Sequence, residues 1–198
     1  MTPQTLLTLF KSLALIGLAA TSASAWAHVG ADAGLHHGFF TGFTHPVTGL
    51  DHLAAMLAVG VWSALTTRRL WLAPLSFAVL LLLGALLAQA GAVFPAIEPM
   101  IAASMLVLGL LLAAQVKLPE TAGAVLVGAF ALFHGAAHGQ ELAGSGALAG
   151  MVLATALLHG AGLGLGLGLK RLNIWLPRMA GAGVALMGLS MGWSLLAN

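Results

Sequence analysis

Apolar residues run through this chain in stretches too long and too continuous for a soluble fold. After residue 46 they form six blocks, at about 47–66, 71–91, 98–116, 120–139, 146–168 and 175–196. Each is close to the ~20 residues that an α-helix needs to cross a bilayer core. The separators are short and carry turn-forming or charged residues: "TTRRLW", "GAVFPAIEP", "QVKLPE", "GQELAGSG" and "KRLNIWLPR". The pattern predicts an all-α polytopic membrane protein with six transmembrane helices.

The first thirty residues follow a different pattern. Lys11 precedes an apolar run over residues 13–20, and small residues then lead to Ala25-Trp26-Ala27. This is the layout of a secretory signal peptide with an A-x-A cleavage site. The expected division is a cleaved segment 1–27 and a six-helix transmembrane domain 28–198, with His28 as the new N-terminus.

Composition agrees and narrows the class. Sixty per cent of the 198 residues are hydrophobic and 6% are charged, against roughly 25% charged in a soluble domain. There is no cysteine, which removes disulfides, thiolate metal sites and cysteine nucleophiles. Seven Lys/Arg against five Asp/Glu form no basic cluster of the kind that binds nucleic acid.

Charge placement orients the spans, because basic loops stay cytoplasmic. Arg68 and Arg69 lie between spans 1 and 2, Lys117 between 3 and 4, and Lys170, Arg171 and Arg178 between 5 and 6. The alternate loops have none, so both ends of the mature chain are expected on the exported side. Polar residues far apart in sequence then share that side. They are His45, Asp51 and His52 where span 1 begins, His134, His138 and Glu141 where span 4 ends, and Glu98 at the start of span 3. His28, Asp32, His36 and His37 precede span 1 on the same side.

Ionisable side chains in a membrane segment cost about 2.5–3.5 kcal/mol each at the helix centre on insertion scales, so they are functional candidates. At helical spacing His134, His138 and Glu141 share one face. Pro46 suits the first turn of span 1, with Asp51 and His52 in its second turn and Met56 one turn further on. Imidazole and carboxylate donors without thiolate suit nickel, cobalt, zinc or copper(II) rather than calcium or magnesium. Asp51 is either a ligand or the carboxylate that fixes the tautomer of His45 or of a span-4 histidine. The plainer readings are hydrogen bonds between helices for the span-4 trio, and an Asp–His helix cap for span 1.

The remaining features are weaker. His28 offers an amine beside its imidazole, and with His36 and His37 it is a candidate for metal capture rather than passage. His159, alone in span 5, is read first as a packing or hydrogen-bonding residue and second as part of an ion pathway. Gly160, Gly164 and Gly168 have the spacing of a helix-contact stripe. Met187 and Met191 read as core filling.

"HPVTGLDH" fits H-x5-D-H and "FHGAAHGQE" fits F-H-G-x-A-H-G-x-E. Together, in this order, the two motifs resemble the HupE/UreJ family of nickel/cobalt permeases, found beside hydrogenase and urease genes. The resemblance implies a multi-pass permease or facilitator of the bacterial inner membrane. It would import Ni2+, or Co2+, for metalloenzyme maturation, and would need His45, Asp51, His52, His134, His138 and Glu141. It also implies a metal ion as cargo rather than a tightly held cofactor, and the donor set leaves Zn2+ open. The expected partners are the metal ion and membrane lipid, with no nucleic acid. No nucleotide-binding motif occurs, so ATP hydrolysis within this chain is not expected. Two other classes compete: an intramembrane metal-dependent hydrolase with Glu141 as general base, and a haem-binding cytochrome using His52 and His134.

Overall fold

The computed structural model describes residues 36–172 and 175–197. The signal segment, its cleavage point, His28 and Asp32 therefore lie outside the described residues.

Among the described residues the chain forms seven helices and two very short strands. In order these are β1 (His36–His37), α1 (Phe39–Thr48), α2 (Leu50–Thr66), α3 (Leu72–Gln89), α4 (Ile97–Ala114), α5 (Glu120–Glu141), β2 (Leu142–Ala143), α6 (Gly144–Leu172) and α7 (Trp175–Ala197). Helices α3 to α7 are each long and apolar enough to cross a membrane, and the bent pair α1–α2 makes a sixth candidate. The chain is thus an all-α polytopic protein, with its helices falling on the apolar blocks of the sequence.

The first block departs from expectation. Instead of one helix beginning near Pro46, a separate helix runs from Phe39 with Pro46 inside it, and the axis turns by 80° before α2 starts. The break is at Gly49, whose backbone is extended (φ −80°, ψ 110°). Proline removes one backbone donor and disfavours continuation, but near the end of a short helix that loss is tolerable. A hydropathy scan is blind to this bend because both arms are apolar.

The apolar faces divide cleanly. On α3, Phe77, Leu81 and Ala85 are buried at successive helical turns, whereas Leu75, Val79, Leu83 and Leu86 are exposed. Helix α7 likewise exposes Leu186, Leu189, Trp193 and Leu196. A helix that is hydrophobic on all sides at a surface suits lipid as its solvent. Met187 and Met191 pack against the core, as the sequence suggests.

Small residues let the helices touch backbone to backbone. A Cβ on Gly135 would lie 1.9 Å from the Leu81 carbonyl oxygen, and one on Gly84 2.1 Å from that of Leu132, so α3 and α5 are in direct contact. Between α2 and α6 the equivalent positions are Gly60 and Gly162. This corrects the stripe expected at Gly160, Gly164 and Gly168. A side chain added at Gly164 or Gly168 would meet nothing within 4 Å, and one at Gly160 only the edge of Trp71. The packing face is the one carrying Gly162 and Gly166, half a turn away.

The two ends of the bundle differ. At the basic end, Glu120 accepts hydrogen bonds from the backbone N–H groups of Arg68 and Arg69 (3.1 Å each), and Trp62 Nε1 donates to the Val116 carbonyl (2.9 Å). At the other end β1 pairs in parallel with β2, His36 opposite Leu142 and His37 opposite Ala143. Gln89 Nε2 donates to the Leu142 carbonyl there (2.7 Å). Those contacts close the backbone around the ends of α3 and α5 and the start of α1, and the polar residues gather between them.

Candidate metal site

Each side of the site is built by local backbone geometry. At the start of α2 the Gly49 break frees the first turn, and Asp51 Oδ1 accepts from the His52 backbone N–H (2.9 Å) and from His52 Nδ1 (3.0 Å). A carboxylate in a first helical turn also complements the positive end of the helix dipole. A Cβ at Gly49 would come within 3.1 Å of Asp51 Oδ1 and 3.3 Å of His52 Nδ1, so glycine leaves room for the pair. Since Nδ1–H is the donor, the lone pair of neutral His52 sits on Nε2. Asp51 therefore orients its own neighbour rather than His45 or a span-4 histidine, the Asp–His contact that the sequence offers as the plainer reading of span 1.

On α5, Gly135 and Gly139 press against α3, with Gly139 facing the Ala85 carbonyl. Their neighbours His134 and His138 are turned inward and fully buried. His134 Nε2 is 2.8 Å from Ser104 Oγ, which is also 2.7 Å from the Ile101 carbonyl. The serine has one proton, and a carbonyl can only accept. It therefore donates to Ile101 and accepts from His134 Nε2–H, leaving the His134 lone pair on Nδ1. Ser104, on α4, is a residue that sequence pattern did not single out, since one hydroxyl in an apolar run carries no periodic signal.

The two sides meet. The 80° turn brings α1 back over the end of α5, and His45 Nε2 donates to Glu141 Oε2 at 2.8 Å across 96 residues of sequence. Both side chains are part-exposed, at 23% and 36%. The His138 ring lies 4.9 Å from that of His45 and 4.2 Å from that of His52, and His52 lies 4.9 Å from His134, centroid to centroid. Four imidazoles thus run in contact from a part-exposed mouth to a buried interior. Ligand atoms of His45, His138 and Glu141 all lie within 4.8 Å of one another, close enough to share one ion. Neither ring nitrogen of His138 has a hydrogen-bond partner. A buried imidazole without one is uncommon and leaves both nitrogens available to a ligand.

The other sequence candidates are placed differently. Glu98 is exposed at the start of α4. Met56 is fully buried in the hydrophobic core. The backbone of His36 and His37 lies beside β2, immediately after Glu141. His159 is buried on α6, its ring 5.0 Å from that of Phe77, which in turn lies 5.6 Å from His134. Phe77 is a second residue missed by pattern reading, one apolar side chain among many on α3. The haem reading loses its basis, because His52 and His134 touch ring to ring and leave no room for a macrocycle between them.

Comparison with known proteins gives two matches. A family model described as HupE / UreJ protein matches residues 15–191. Protein HupE of Rhizobium leguminosarum bv. viciae is 40% identical over 181 residues, covering 88% of this chain and 94% of that protein. No solved structure matches.

Proposed function

This chain belongs to the HupE/UreJ family, and from that premise we propose that it carries a divalent transition-metal ion across the bacterial inner membrane. Nickel is the first candidate and cobalt the second, for delivery to metalloenzyme maturation. The observation that supports this most directly is the run of four touching imidazoles from the part-exposed His45–Glu141 pair to buried His134.

The chemistry follows from the donor set. Outside the membrane the ion displaces the proton shared by His45 and Glu141, exchanging water for nitrogen and oxygen donors. His138 completes a three-residue set at the mouth. Nε2 of His52 and Nδ1 of His134 come next, each with its lone pair set by a partner, Asp51 for one and Ser104 for the other. Such second contacts hold a ligand's tautomer and orientation, and losing them typically costs 10–100-fold in metal affinity or activity. Nitrogen and carboxylate donors suit first-row divalent ions. The membrane potential, negative inside, favours inward movement by about 2.3 kcal/mol per charge per 100 mV, roughly double for a divalent ion. That suffices without ATP.

The test is uptake of radioactive Ni2+ by cells expressing wild type or His45→Ala, His138→Ala or Glu141→Ala, at matched membrane levels. Each variant is expected to fall to background. Wild-type uptake should also fall as the medium is acidified, because protons compete for the same lone pairs. Undiminished uptake in the three variants would remove the proposal. Cleavage of a lipid or peptide by the purified zinc-loaded protein would replace it with the hydrolase reading.

A further inference from the structure

The mouth cluster leaves one buried imidazole without a task. His159 on α6 is 1% exposed, and neither of its ring nitrogens makes a hydrogen bond of ordinary geometry. The backbone of Thr155, one turn earlier, makes a loose hydrogen bond with the ring and leaves its other nitrogen open. Thr155 is itself fully buried, and its hydroxyl has no hydrogen-bond partner among the described residues. A threonine inside a helix usually turns its hydroxyl onto the carbonyl one turn back. In an apolar interior an unpaired hydroxyl, and an imidazole whose two nitrogens share one loose backbone contact, are each costly. At i and i+4 on one helix face the two side chains are neighbours and can hold one ligand between them.

Their position continues the line of rings. His134 lies seven residues in from Glu141, about 10 Å along α5, and His159 lies fifteen in from Gly144, about 22 Å along α6. The two helices meet at β2, so these depths share one origin. Phe77 is fully buried and stands between them, in contact with both rings. The close contact of α2 at Gly60, where a Cβ would sit 2.5 Å from the His159 carbonyl oxygen, holds this part of α6 inside the bundle.

We propose that His159 and the Thr155 hydroxyl form a second, inner site that receives the divalent ion after His134, with the Phe77 ring as an apolar partition between the two. The inference rests on the transport reading. One imidazole nitrogen and one hydroxyl supply part of a coordination shell, and accompanying water supplies the rest. The inner site is therefore weaker than the mouth, which suits release, since passage requires sites that let go of the ion as well as take it.

The experiment uses the full chain, with Co2+ as probe for binding by calorimetry and visible absorption, and radioactive Ni2+ for flux into proteoliposomes. Wild type should bind a tight and a weaker equivalent of Co2+. His159→Asn and Thr155→Val should keep the tight equivalent with unchanged affinity, which also reports that they are folded. Both should lose the weaker one, and flux through His159→Asn should drop by roughly tenfold or more. His138→Ala should lose the tight equivalent instead. Both equivalents intact in His159→Asn, or flux equal to wild type, would overturn the inner site and leave the mouth standing. No Co2+ binding by wild type would overturn the transport reading itself.

Discussion

Helix α5 carries a carboxylate at each end, and the two do opposite things. Glu120, at its start, accepts two backbone N–H groups and lies 3.3 Å from Arg69 Nε. Its partners are a permanent cation and fixed amides, and nearby polar side chains are closed onto backbone carbonyls, as Ser63 is onto Leu70 (2.7 Å). Glu141, at the other end, is held by the imidazole of His45, itself a potential metal donor. Behind it stands His138, with no hydrogen bond to either ring nitrogen. One end ties loops together. The other keeps lone pairs that a cation can take. Polar atoms saturated by the backbone read as structure, and polar atoms left to one another in a buried row are what the proposed route requires.

The comparison is tested most strongly at Asp51. If its carboxylate is what keeps the lone pair of His52 on Nε2, Asp51→Leu should break the row with little change in shape. Leucine is close in size but offers no acceptor, so the ring proton is no longer held on Nδ1. The expected loss is about 10–100-fold in Co2+ affinity and Ni2+ uptake. Titration of the purified variant, with helical content checked by circular dichroism, measures it. Wild-type affinity would mean that Asp51 is only a cap for α2.

Much of this was legible in the residues. Six apolar blocks, six basic residues confined to alternate loops, and two spaced motifs are local properties, and each survives averaging over a window. Topology alone put His45 and Glu141 on one membrane face. Their contact was not legible, because it depends on an 80° turn at Gly49 that leaves hydropathy unchanged. The phase of the α6 glycine stripe was undecidable for a similar reason. Gly160, Gly164 and Gly168 share a spacing with Gly162 and Gly166, and only the position of α2 chooses between them. Ser104 and Phe77 act through what lies opposite them, on a different helix, and no pattern in their own helix announces that.

A smaller effect is expected at Ser104. Removing its hydroxyl in Ser104→Ala leaves His134 Nε2–H without this acceptor and relaxes the choice of tautomer. One neutral hydrogen bond is worth about 1 kcal/mol net, or roughly fivefold. Ni2+ uptake should therefore show its half-saturating concentration raised several-fold, while Ser104→Thr, which keeps a hydroxyl, should lie nearer wild type. A wild-type response in Ser104→Ala would separate His134 from the working row.

The smallest effect belongs to the opposite end. Glu120→Gln removes the charge facing Arg69, but the amide oxygen still accepts from the Arg68 and Arg69 backbone. The Arg69 side chain is 75% exposed, so the ion pair is well solvated and little is lost with it. Exposed pairs contribute about 0–1 kcal/mol, which in a chain of this size is a fall of about 2–4 °C in Tm at most. Uptake should not change. A thermal melt and a Ni2+ uptake assay on the same preparation read both quantities. If uptake instead collapsed with Tm preserved, the carboxylates at the two ends of α5 would be equivalent, and saturation by backbone would no longer mark a structural contact apart from a conducting one.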